Sequence, residues 1–150
     1  MKLQKDLREF VELLNSHGVD YVVVGGHAVG FHGFPRYTGD IDFLVRPTGE
    51  NAARLMRTLD AFGFQGIGLS QDDFVRSDRI VQLGTPPNRI DLLTSLSGVE
   101  VDEVWAGAVS AEMDGVPVRI IGREALLRNK RAAGRTKDLL DVEQIEKMGR

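Results

Sequence analysis

Cysteine is missing from this chain of 150 residues, and so is any long apolar run. Without cysteine there is no disulfide scaffold, no thiolate zinc site and no cysteine nucleophile. That absence fits a reducing compartment. A membrane-spanning helix needs ~20 consecutive apolar residues, and no stretch approaches it. The opening MKLQKDLREF alternates charge with leucine and lacks the apolar core of a secretory signal. A soluble, cytoplasmic protein with no membrane attachment is expected. A strong excess of one charge is lacking too: 19 Lys+Arg against 22 Asp+Glu give 19 − 22 = −3. Such a balance argues against a protein that coats nucleic acid wholesale, but not against a local basic patch.

What the chain does have is core. With 42% hydrophobic residues, a chain this long buries roughly 68–70% of its unfolded surface. Its length is that of one ordinary domain, so residues 1–150 are expected to form one minimal unit. Leu3, Leu7, Phe10, Val11 and Leu14 share one face of a helix over 2–17. A buried strand is expected over 21–24, ending in Gly25-Gly26, with a short helix over 27–31. Residues 40–45 read as a strand and 50–62 as a second amphipathic helix. Strands are expected over 80–83 and 89–93, and a short helix over 98–105. Asp114-Gly115 is a strong hairpin signal between strands over 108–113 and 116–121. Pro117 places the second of these at a sheet edge. Two basic helices, 123–133 and 136–148, close the chain around Gly134. The fold class is therefore mixed α/β (α+β), a mixed β-sheet flanked by helices. Tyr21 and Trp105 are expected in the core.

Three features carry chemistry. Val24-Gly25-Gly26 is a strand running into a glycine pair, where backbone can approach a ligand and free N–H groups favour an anion. A bare turn would look the same. No Gly-Lys-Ser/Thr follows, so this is not a Walker A loop, and the spacing to Gly30 is not a dinucleotide fingerprint. Asp40-Ile41-Asp42 puts two carboxylates on one strand face and Ile41, Phe43 and Val45 on the other. Such a pair is either a solvated face or a ligand set for a hard cation. Asp91 interrupts a second apolar strand, Arg89-Ile90-Asp91-Leu92-Leu93. If the strands are neighbours, three acids converge, and two charges ~4 Å apart repel by about 4 kcal/mol at a dielectric near 20. A cation would relieve that. His17, His27 and His32 show no metal-ligand spacing.

The order of these elements resembles the DNA polymerase beta-like nucleotidyltransferase superfamily. The residues are Val24-Gly25-Gly26, then Asp40-Ile41-Asp42-Phe43, then Ile90-Asp91-Leu92. Arg36-x-Thr38-x-Asp40 and Lys130-Arg131-Ala132-Ala133-Gly134-Arg135-Thr136-Lys137-Asp138 through Asp141 are similar to the small stand-alone branch, which includes abortive-infection and toxin–antitoxin enzymes. The resemblance implies the nucleotidyltransferase fold and a Mg²⁺-dependent transfer of a nucleoside monophosphate from an NTP such as ATP to a hydroxyl. It implies two Mg²⁺ ions on Asp40, Asp42 and Asp91, held mainly when nucleotide is bound, with Asp91 on the acceptor side. Gly25 and Gly26 would cradle the β- and γ-phosphates, and Arg36, Lys130 and Lys137 would contact the triphosphate. Asp138 would orient one of the lysines, and Thr38 would shape the loop. The residue after Gly25 is Gly26 where many superfamily enzymes carry serine, so any contact there comes from backbone.

An RNA or tRNA end is the favoured acceptor, with a toxin or antitoxin partner in view. A protein or an antibiotic-like small molecule is the enzymatic alternative. A non-catalytic nucleotide-binding member of a toxin–antitoxin pair is the other. The stretch Leu126 to Lys137 supports RNA: it holds five cations and no acid, leaving −3 − 5 = −8 elsewhere.

Overall fold

The computed structural model describes residues 4–34 and 38–148. It shows six helices and a six-stranded mixed sheet. The helices are α1 (Lys5–Ser16), α2 (Gly25–Phe31), α3 (Gly49–Phe62), α4 (Val101–Gly107), α5 (Arg123–Ala133) and α6 (Thr136–Met148). The strands are β1 (Tyr21–Val24), β2 (Asp40–Val45), β3 (Ile80–Leu83), β4 (Arg89–Leu93), β5 (Val109–Met113) and β6 (Val116–Ile120). They lie in the order β3-β4-β2-β1-β6-β5. Strand β2 is parallel to β4 and antiparallel to β1; β6 is parallel to β1 and antiparallel to β5.

Alternation along β2 divides the two layers. Ile41 and Phe43 are fully buried, and the Phe43 ring lies 5.7 Å from Phe10 of α1 and 5.5 Å from Tyr21. Phe10 in turn meets Phe62 of α3 at 5.2 Å. Helix α1 buries Leu7, Phe10, Val11 and Leu14 of the stripe its spacing predicts, Leu3 lying outside the described residues, and α3 buries Leu55 and Leu59 beside it. Each such side chain, fully buried, contributes about 1.5–3 kcal/mol. Asn51 pins α3 to the sheet: its amide donates to the Asp20 and Arg46 carbonyls at 2.9 and 3.0 Å, and its oxygen accepts from the Asp20 N–H at 2.7 Å. The opposite face, bearing Asp40 and Asp42, is left to a cleft that α5 and α6 overhang.

Several local details differ from the sequence reading. Helix α2 starts at Gly25, so both glycines lie in its first turn rather than before it. Helix α4 starts at Val101, three residues late. A short 3₁₀ turn at Gln71–Phe74, closed by a Ser70/Asp73 capping box, follows a glycine-punctuated stretch without clear periodicity. Pro117 is not on an edge strand: β6 lies between β1 and β5. Its missing N–H does no harm, because β6 meets β1 at Ile120↔Val23, and three residues earlier the ladder would reach Asp20, before β1 begins. The Pro117 carbonyl accepts from Asn15 Nδ2 of α1 at 2.8 Å. Tyr21 is buried as expected, whereas Trp105 is half-buried with the Arg46 guanidinium 4.5 Å from its ring centre. Among the described residues, no helix is long and apolar enough to cross a membrane.

Candidate active site

Parallel pairing of β2 with β4 sets Asp42 directly beside Asp91, and Asp40 beside Arg89. Alternate residues share a face, so Asp40, Asp42, Arg89 and Asp91 project from the same side of two central strands. The adjacency that local sequence could not establish is thus a matter of register. Carboxylate oxygens of Asp40, Asp42 and Asp91 lie within 4.8 Å of one another. They sit in a cleft of about 590 Å³, walled by Val24, Gly25, Gly26 and Thr38 on one side. Lys130, Arg135, Lys137 and Asp138 form its overhang.

The first-turn glycine is dictated by Asp42. Gly25 has φ +70°, and a Cβ there would collide with Asp42 Oδ2 and lie 2.9 Å from its Cγ. A Cβ on Gly26 would meet Cβ and Oγ1 of Thr38, both at 3.1 Å. Thr38 therefore fills the space that a serine at position 26 would need. Its hydroxyl lies 2.8 Å from Asp40 Oδ1 and 3.0 Å from the Asp40 carbonyl, which fixes that carboxylate. Thr38 shapes the loop, as the sequence suggests, by holding a site acid in place.

Arg89 had no expected role, and it is the cluster's resident counter-ion. Its Nη2 donates to Asp40 Oδ2 and Asp91 Oδ2, both at 3.0 Å, and its Nε donates to Asp91 Oδ1 at 3.0 Å. The available signal was its position two residues before Asp91 on the same strand face. One guanidinium thus serves two of the three acids, and the protonation of the three separates. Burial, reinforced by the charges of Asp40 and Asp91, pushes Asp42 up to about 8. Burial also raises Asp91, although the Arg89 hydrogen bonds oppose it. For Asp40 burial is outweighed by hydrogen bonds, Thr38's first, and by the Arg89 charge, so it falls below the usual range. The donor set is hard, all oxygen and short of positive charge, which fits Mg²⁺ or Mn²⁺.

The basic helices are placed less simply. Lys130 is buried, with Nζ 3.2 Å from both Asp138 Oδ1 and Asp141 Oδ2. The expected triphosphate lysine is therefore held between two acids within the α5–α6 packing. Arg135, counted in the sequence only as charge, reaches Asp138 at 2.6 Å through Nε while its side chain stays 68% exposed. The hydrogen bond to Asp138 and the Asp138 charge raise the Arg135 pKa, with smaller contributions from Asp141 and Asp42. Lys137 lines the cleft and is exposed, without an ion pair among the described residues. Arg36 and Tyr37 lie outside the described residues. His27 is partly buried, with Nδ1 unpartnered among the described residues, and burial lowers its pKa against the opposing charge of Asp40. His32 Nε2 lies 2.7 Å from the Ile121 carbonyl and His17 Nδ1 3.0 Å from that of Leu13, so both ring contacts are local to the fold.

Solved structures share this fold. One is a nucleotidyltransferase candidate from Thermotoga maritima: TM-score 0.60, 16% identity, covering 94% of this chain and 88% of that one. The lincosamide antibiotic adenylyltransferase LnuA, solved with lincomycin, gives 0.59 at 14% identity over 97% and 98% of the two chains. ANT(2″)-Ia, solved with adenylyl-2″-tobramycin, gives 0.57 at 15% over 95% and 91%. Among curated proteins, none matches the chain by sequence. A family model for nucleotidyl transferases of unknown function, DUF2204, matches residues 3–150, and the chain belongs to that family of transferases.

Proposed function

We propose that this protein transfers a nucleoside monophosphate from an NTP to a hydroxyl and releases pyrophosphate. The observation that carries the reading is the register pair Asp42↔Asp91, with Asp40 completing three converging carboxylates on the floor of the cleft. Asp40 and Asp42 would hold two Mg²⁺ ions, with Asp91 beside the ion nearer the acceptor. Bound there, such ions stabilise both the attacking and the leaving oxygen of an in-line displacement. The chain's own groups do the rest. Gly25 and Gly26 leave the cleft wall without side chains, so backbone N–H groups can approach the β- and γ-phosphates. Lys137 and Arg135 face the same space from α6 and from the turn before it. We assign Lys130 to holding α5 against α6, and, on the sequence resemblance, Arg36 to the phosphates. The acceptor oxygen forms its bond to the α-phosphorus as the α–β bridging bond breaks, and the hydroxyl proton passes toward the Asp91 carboxylate.

For the acceptor, charge favours a compact molecule over an RNA end. Of the five cations between Leu126 and Lys137, Arg128 pairs with Glu103, Arg131 with Glu146, Arg135 with Asp138, and Lys130 with Asp138 and Asp141. Four acids against five cations leave 5 − 4 = +1. The cleft is also lined by Gln82, Ile80, Leu93, Ser95 and Asp78, none of them basic. The folds with lincomycin and with adenylyl-tobramycin bound are consistent with an antibiotic-like acceptor. RNA transfer, with or without a toxin role, is the second reading, and its support is the family resemblance. The test is labelling of cell extract and of purified aminoglycosides, lincosamides and tRNA with each α-labelled NTP and Mg²⁺. Wild type should label an acceptor and Asp42→Asn should not; equal labelling by both would sink the proposal.

A further inference from the structure

Arg89 occupies a position that the proposed chemistry needs for something else. Its Nη2 lies 3.0 Å from Asp40 Oδ2 and 3.0 Å from Asp91 Oδ2 at once. A divalent cation held by these acids would draw on the same carboxylate charge and lone pairs. Guanidinium and metal therefore compete for the pair. Asp42 is the one acid of the three with no contact to that guanidinium. Thr38 and the β2/β4 ladder hold the acids in place, so the mobile partner is the arginine, whose side chain is one-third exposed toward the cleft. Other acids on the cleft wall are engaged: Asp138 by Lys130 and Arg135, and Asp78 by the Ser95 hydroxyl at 2.8 Å. Among the described residues, the cleft acids outside the cluster, Asp78 and Asp138, are thus already engaged and do not await a displaced Arg89. The partner that fits it is an incoming phosphate, for which a planar guanidinium fork is well suited.

We infer that Arg89 is an exchangeable internal cation: it fills the bridging position between Asp40 and Asp91, resists divalent metal alone, and gives way when a nucleotide supplies phosphate to receive it. This rests on the nucleotidyltransferase reading for the identity of the anion, but the competition between metal and guanidinium does not. Arg89 is a positioning residue, not a catalytic one. Its removal should lower the barrier to loading, which no purely structural role would do.

The experiment is a Mn²⁺ titration of nucleotide-free protein, with free Mn²⁺ followed by electron paramagnetic resonance. It compares wild type with Arg89→Met and Arg89→Gln, each checked for native circular dichroism. Both variants should bind Mn²⁺ at least tenfold more tightly than wild type. Affinity equal to or weaker than wild type in a folded variant overturns the inference. If neither variant folds, wild type decides: the Arg89 Nε–H resonance should shift on adding Mg²⁺ with a non-hydrolysable NTP. Metal and nucleotide binding with that resonance unmoved also overturns it. The two proposals fail separately. Tighter Mn²⁺ in Arg89→Met with no labelling by wild type sinks the transferase reading alone; labelling without the affinity gain sinks this one alone.

Discussion

Two residues at the start of α2 show how tightly the site constrains single positions. Gly25 needs a left-handed backbone, and the space over its Cα belongs to Asp42. A side chain with positive φ costs of order 1–3 kcal/mol in strain alone, and in Gly25→Ala the new methyl would also push Asp42 out of the cluster. That variant should fall in melting temperature and lose labelling at least a hundredfold. Gly26→Ala has no φ penalty and meets only Thr38, so it should keep more of both; equal damage from the two substitutions would refute this account. Asp42 itself predicts a pH effect. Its carboxyl is raised to about 8 in the fold from an unfolded value near 4. A raised acid contributes stability that is fully present below the unfolded value and lost as pH rises through the folded one. In EDTA, wild type should therefore lose stability between about pH 4 and 8 relative to Asp42→Asn. Saturating Mg²⁺ should flatten the difference. Thermal melts of the two proteins across that range, with and without Mg²⁺, would show it.

At the scale of elements, the α5–α6 clasp is the feature to break. Lys130 is buried between Asp138 and Asp141, both nearly inaccessible. Removing one partner of a buried ion pair typically costs about 3–5 kcal/mol, because the other charges stay buried. Lys130→Met should destabilise the protein by about that much in urea unfolding, and any loss of labelling should follow from the loosened overhang. A loss of labelling at unchanged stability would return Lys130 to the direct phosphate contact its sequence context suggests. Elements were also where the sequence was most legible. The spacing of Leu7, Phe10, Val11 and Leu14, the Asp-Ile-Asp-Phe alternation and the Asp114-Gly115 turn are local signals, and the structure follows them. Pro117 misled because an edge is a property of neighbouring strands, and a proline is harmless where the adjoining ladder has not yet begun. The three acids were legible as types and as an order, but their convergence required the β2–β4 register. Arg89 went unassigned because its meaning depends on which strand lies beside it. Lys130 read as a triphosphate contact because nothing local says that two acids of the next helix enclose it.

The molecule as a whole carries its charge in closed pairs. The basic segment that looks like a nucleic-acid footprint is largely neutralised by Glu103, Glu146, Asp138 and Asp141. Non-specific binding to single-stranded RNA should be weak. Its dependence on salt should be shallow, since each neutralised phosphate adds about 0.7 to the slope of log K against log salt. Fluorescence anisotropy with a labelled oligoribonucleotide between about 50 and 200 mM salt should give a slope of magnitude below about 2. A steep slope would restore the RNA reading.

The register that joins Asp42 to Asp91 also governs how this surface can change over time. In a parallel pair the residues on either side of Asp91 are Ile90 and Leu92, both buried. Slipping β4 by one place would bring a hydrocarbon to the cleft floor and drive a carboxylate into the core. No half-shifted arrangement keeps both the acid cluster and the packing. Lengthening or shortening the Gly84–Asn88 connection is thus tolerable only if the loop absorbs the change and leaves the strand where it was. The cleft can change by exchanging lining residues such as Gln82 or Leu93, one side chain at a time, but not by sliding the scaffold beneath them.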